Sequence, residues 1–187
     1  MNNIKINTEG ITEQQEATSK FRSFHQGVLA QLNVPGFIDV LCAHEAAHVF
    51  YFMLAGSTQF EPHQTTIRFD PKIDDYVSDL AGIKFLDMTM WTEGDFWPWF
   101  HKIACAHACG GVIARKLMPS SEGGDQDDKD RFKQLCDQIG RLDPSVKIDF
   151  ESWWKQGQKT VGEMIEKPEI MAEIKRIAAD LRPQFDL

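Results

Sequence analysis

Phe37–Leu54, FIDVLCAHEAAHVFYFML, decides how the rest of this chain reads. Apolar residues fill nearly every position on both sides of His44-Glu45-Ala46-Ala47-His48, so the stretch predicts a helix buried on all faces. Two histidines and a glutamate are costly inside such a helix unless a metal or a hydrogen-bond network satisfies them. His44 and His48 lie one helical turn apart on one face, which suits two corners of a tetrahedral zinc site. Glu45, rotated about 100° around the helix, falls beside the metal rather than on it. A carboxylate placed there can act as general base toward a water that zinc has made acidic. The chemistry expected of HExxH is therefore hydrolysis, most often of a peptide bond. The competing reading is a pair of core histidines hydrogen-bonded to neighbours, with no metal.

Upstream, residues 12–32 carry Phe21, Phe24, Val28, Leu29 and Leu32 at helical spacing and predict a packing helix, with His25 in a surface or capping role. Residues 1–11 read as frayed or as a short strand. Downstream, Gly56 predicts the end of the HExxH helix. The alternation of Thr65, Ile67 and Phe69 within Ser57–Phe69 predicts a half-buried strand stopped by Asp70-Pro71. Tyr76–Phe85 offers a second strand through Leu80, Ala81, Ile83 and Phe85. Together they predict a small antiparallel sheet beside the HExxH helix, whose edge either pairs with an extended peptide or is a structural hairpin only. His63 reads as a surface residue.

Asp95 as a cap and Pro98 in the first turn predict a helix running to Leu117. Ala104, Ala106, Ala108 and the pair Gly110-Gly111 give it a narrow surface for close approach of a neighbour. His101, Cys105 and Cys109 at i, i+4 and i+8 are read as core residues ahead of a rival metal site, and His107 as pointing elsewhere. The acidic turn SSEGGDQDDKDRF leads into a helix whose apolar face is Phe132, Leu135, Cys136 and Ile139. Its acids suit the positive end of a helix dipole. From Asp125 the sixth position is Asp130 rather than glycine, so the calcium-loop pattern fails. Phe150–Glu166 and Pro168–Leu181 predict an antiparallel helix pair. Trp91, Trp97, Trp99, Trp153 and Trp154 are read as core packing ahead of a cleft lining.

A length of 187 residues predicts a single domain, 1–187, with a metal-site core over 37–140 and a C-terminal helix pair over 143–187. The expected fold class is mainly α (α+β): a helical bundle with a small antiparallel β-sheet beside the HExxH helix. A net charge of -8 without a basic stripe speaks against a nucleic-acid partner. Cys42, Cys105, Cys109 and Cys136 form no CxxC pair, which predicts free thiols and a cytoplasmic location. The polar N-terminus lacks a signal-peptide core, and no membrane partner is expected.

HEAAHVFYFMLAG, a β region ending in GIKF, ACAHACGGVIARKLM and GGDQDDKDRFKQLC follow one another over roughly residues 37–140 and resemble the proteolytic domain of FtsH-type zinc metallopeptidases. That family has HEAGH, a β segment, a helix carrying a GGRAAE-like sequence, then a glycine-containing turn and a zinc-binding aspartate at a helix start. The resemblance implies Zn2+ as cofactor, His44 and His48 as ligands and Glu45 as the catalytic base. Aligning the downstream apolar positions makes Asp128 the third ligand; aligning the preceding turn makes it Asp127. GGVIARK lacks the family's acidic residue, Ala47 replaces the glycine of HEAGH, and the chain has neither a GxxxxGK[ST] loop nor a membrane helix. What the resemblance implies is thus an ATP-independent zinc metalloendopeptidase acting on peptide or unfolded protein. A homo-oligomer and an ATPase partner in trans stay open. The alternative is a zinc-binding, non-proteolytic regulatory or adaptor protein on the same scaffold.

Overall fold

In a computed structural model, the described residues are 36–56, 66–70, 75–79, 93–119 and 125–184. The expectations for residues 1–11, the helix over 12–32 with His25, His63, the second strand beyond residue 79, and Trp91 lie outside them. Helix α1 spans Phe37–Leu54, α2 Glu93–Leu117, α3 Gln126–Leu142, α4 Phe150–Met164 and α5 Pro168–Leu181, with a short 3-10 turn at Arg182–Gln184. Two strands, β1 (Thr66–Asp70) and β2 (Asp75–Asp79), fall between α1 and α2.

α1 starts after Gly36 and stops before Gly56, both in left-handed conformations with φ of 81° and 102°. Only glycine adopts these without steric cost, so the two residues bound an otherwise uninterrupted apolar run. Eight residues of α1 are buried, among them His44 and His48. Its length and apolar content would also suit a membrane span, but half of it is buried by the other helices.

α2 is the hub: α1, α3 and α4 all pack on it, and α5 packs on α1. Its small side chains make this possible. Ala104, Ala106, Ala108, Cys109 and Ile113 are fully buried or nearly so. A Cβ placed on Gly157 of α4 would stand 2.7 Å from the Ala104 carbonyl oxygen, so α2 and α4 touch backbone to backbone. On the other flank an aromatic cluster fills the junction of α2, α3 and α4. Phe100 and Phe132 lie 5.5 Å apart, and Trp97 stacks on Trp153 at 5.6 Å with an interplanar angle of 4°. These tryptophans pack, and Trp154 is 4% exposed. α2 begins two residues before the expected Asp95 cap, which puts Pro98 inside the helix.

The expected α+β class, with a small antiparallel sheet beside the HExxH helix, is corrected: the body is an all-helical bundle. Every core residue described lies on one of the five helices or at the end of one. β1 and β2 pair only with each other, in the register Thr66↔Asp79 to Asp70↔Asp75, and form no packed layer with any helix among the described residues. The reason is size. Two five-residue strands cannot build a hydrophobic face able to compete with the fully apolar α1. The C-terminal segments are helical where expected, but they do not chiefly pair with each other. α4 lies on α2 and α5 on α1, because Val161 and Ile165 at the end of one and Ile174, Ile177 and Leu181 of the other close one core over α1 and α2.

Candidate metal centre

The centre forms where α1, α2 and α3 meet. His44 and His48 are the only buried polar or charged residues among those described, 8% and 4% exposed. Their Nε2 atoms face each other at 3.1 Å. Oδ2 of Asp128, in the first turn of α3, lies 3.1 Å from His48 Nε2 and 3.5 Å from His44 Nε2. Three potential donor atoms thus form a triangle with edges of 3.1 to 3.5 Å. Ligands about 2.0–2.1 Å from a tetrahedral ion stand roughly 3.3–3.4 Å apart, so the triangle has the dimensions of one face of a zinc site. It is the one such group of three ligating residues among the described residues.

The main chain of α2 sets the ligand geometry. His48 Nδ1 donates to the Ala106 carbonyl oxygen at 2.7 Å, which fixes the ring and leaves Nε2 directed at Asp128. The Cys109 thiol donates to the same oxygen at 3.2 Å and lies 3.5 Å from His48 Nδ1. Beneath the triangle sits Gly110: a Cβ there would collide with His44 Nε2 and lie 2.5 Å from His48 Nε2. Gly111 does the same service for Asp125, whose Cγ would be 2.6 Å from an added Cβ. Asp125 in turn accepts from Arg115 at 3.1 Å, which holds the turn that begins α3. The glycine pair read as a site of close helix approach is therefore the floor of the centre.

Electrostatics agree with a cation-binding role. Burial alone would raise the Asp128 carboxyl, but His48 and the hydrogen bonds from His44 and His48 outweigh it and hold the group well below the usual carboxylate range. Burial opposes a charge on His48, yet Cys109 and Asp128 overcome that and raise its affinity for a proton. The arrangement favours positive charge between the histidines and the Asp128 carboxylate. Asp127 points to solvent, whereas Asp128 has a side chain only 17% exposed and is the aspartate brought to the histidines. Glu45 is half-buried on the turn of α1 that carries both histidines.

The His101, Cys105 and Cys109 set does not converge. Cys105 Sγ lies 3.7 Å from His101 Nε2, and His101 Nε2 contacts Thr160 Oγ1 at 3.2 Å, while Cys109 turns toward His48. All four cysteines are free and buried. His107, read as pointing away from that set, lies next to the centre. Its ring is 5.5 Å from Phe52 and 5.7 Å from Phe132, residues one turn beyond His48 and Asp128 respectively. Burial first, then the neighbouring His48, lowers it to about 4. A sequence signal for this existed: His107 and Gly110 are three residues apart and share a helix face.

Fold and site together define a protein whose described body is a helical bundle, with a His/His/Asp group between its central helices arranged as a candidate metal site. No family profile, curated protein or solved structure matches the chain.

Proposed function

We propose that this chain is a zinc-dependent metallopeptidase, hydrolysing peptide bonds in peptides or unfolded proteins, of the kind that the FtsH-like order of its motifs implies. The observation that carries the reading is the meeting of His44, His48 and Asp128, from helices 80 residues apart in sequence, in a triangle of zinc dimensions over a glycine floor. A triangle of ligands leaves one tetrahedral corner for water or substrate, as catalytic rather than structural sites do. Zinc, when bound, supplies an acidic water and polarises the scissile carbonyl. Glu45 takes the proton of the attacking water and delivers it to the leaving amine. Ala106 and Cys109 keep the His48 ring in one orientation through the cycle.

Elemental analysis of the purified protein, with a casein-cleavage assay, tests this reading. About one zinc per chain is expected, with cleavage abolished by a chelator. Glu45→Gln keeps the zinc and loses the activity. An absence of metal after zinc is supplied, or an active Glu45→Gln variant, overturns it. Bound zinc without cleavage of any unfolded protein would point to the non-proteolytic regulator instead.

A further inference from the structure

The centre occupies one layer of a three-helix junction, and the next layer holds a side chain that the hydrolytic reading has not used. In the first layer are His44 and His48 of α1, Asp128 of α3 and Gly110 of α2. One turn away are Phe52 of α1, Phe132 of α3 and His107 of α2. A ring in contact with both Phe52 and Phe132 must lie in the groove between α1 and α3, the groove that the ligand triangle spans. His107 is set back from Gly110 by three residues, about 4.5 Å along the helix axis. Phe52 meets the ring edge to face at 84°, and Phe132 lies tilted to it by 34°, so the imidazole is clamped in one place.

The ring nitrogens have no hydrogen-bond partner among the described residues. Nor are they sealed off, since the one sealed and unpartnered side-chain polar atom described is Tyr51 Oη. A histidine that served only as packing between two phenylalanines would gain nothing from nitrogens that stay reachable. A group that approaches from the groove would satisfy them.

We propose that His107 is a catalytic hydrogen-bond donor, its ring N–H directed at the oxyanion that develops on the scissile carbonyl. The proposal rests on the hydrolytic reading above. In the step concerned, the water oxygen bonds to the carbonyl carbon and the carbonyl π pair moves onto oxygen. The water proton passes to Glu45 and then to the departing amine nitrogen as the C–N bond breaks. His107 keeps its proton throughout and contributes only the hydrogen bond, strongest when the oxygen is most negative. A neutral ring is suited to this, since its N–H is held without a second cation beside the metal, and burial between Phe52 and Phe132 favours that form.

Two substitutions separate donation from packing. His107→Phe keeps an aromatic filler and removes the donor; His107→Gln loses the ring and keeps an N–H. Casein cleavage should fall about 100-fold in kcat for His107→Phe with KM little changed, and His107→Gln should retain the larger activity of the two. Zinc content and the visible spectrum of the cobalt-substituted protein should be unchanged in both. Affinity for a phosphinic peptide built on the first casein bond cleaved, a mimic of the tetrahedral oxyanion, should fall in parallel with kcat. A fully active His107→Phe, or a Phe variant better than the Gln variant, overturns the proposal and leaves the peptidase reading standing. A changed cobalt spectrum also overturns it, because His107 would then be a ligand. If the wild-type protein neither holds zinc nor cleaves casein, both readings fall together.

Discussion

α1 and α3 both bring potential ligand atoms to the candidate centre, from opposite kinds of surface. α1 has eight buried residues and apolar side chains on nearly every face, and its two histidines are the only ionisable groups besides the Cys42 thiol and the Tyr51 hydroxyl in its buried part. α3 buries only Phe132 and Cys136, and its first turns carry Asp125, Asp127, Asp128 and Asp130. In the first helix an ionisable residue is conspicuous because burial makes it expensive. In the second an aspartate is unremarkable, since acids near a helix N-terminus are favourable and solvated. A ligand is easily recognised on a buried helix and easily hidden on an amphipathic one.

The sharpest way to break this comparison is to exchange aspartates. Asp128→Ala should weaken zinc binding by more than the roughly 10–100-fold that loss of an outer-shell partner causes, whereas the exposed Asp127→Ala should bind as the wild type does. Titration with a competing zinc chelator measures both. Equal effects would mean that α3 supplies its ligand loosely, from a mobile acidic cluster rather than from one position.

Acid stability sharpens the same contrast, because α3 and α1 enclose His107 together. Its folded pKa of about 4 lies below the unfolded value of 6.5, so the neutral ring is accommodated above pH 6.5 and stability is lost as pH falls from there toward 4. The fall from 6.5 to about 4 corresponds to about 3 kcal/mol at most. In the metal-free protein, urea unfolding of wild type and His107→Phe should show stabilities that diverge over this interval, the variant losing less. The raised His48 does not add to the slope there. Its stabilisation is fully present below the unfolded value and is lost only as pH rises through the folded one.

Smaller effects, of opposite sign, distinguish the floor of the site from its flank. Gly110→Ala forces a methyl group against both ligating rings and should cost about 1–3 kcal/mol of stability along with most of the bound zinc. Gly140 of α3 has nothing within 4 Å of an added Cβ. Gly140→Ala should stabilise the protein by up to about 1 kcal/mol and leave metal binding alone. Thermal unfolding with metal analysis checks the pair. Similar behaviour of the two variants would remove Gly110 from the site.

Much of this could be read from the residues in order. The apolar run with glycines at both ends determined α1, and the HExxH spacing determined that its two histidines share a face. The periods of 126–142, 150–166 and 168–181 determined three more helices, because each buries a single stripe and local spacing reports that directly. The apolar helical setting of the cysteines and their lack of a CxxC pair predicted free thiols, and all four are free. The sheet expected beside α1 failed because alternation in a short segment describes a strand but says nothing about whether a layer exists for it to join. Likewise, the helical period of α4 and α5 said nothing about their partners. Which aspartate of four faces the histidines, that Gly110 lies under them, and that His107 shares their groove were decided by how three helices cross. Those facts are relations between residues distant in sequence, and only the packed backbone brings such residues within a few ångströms.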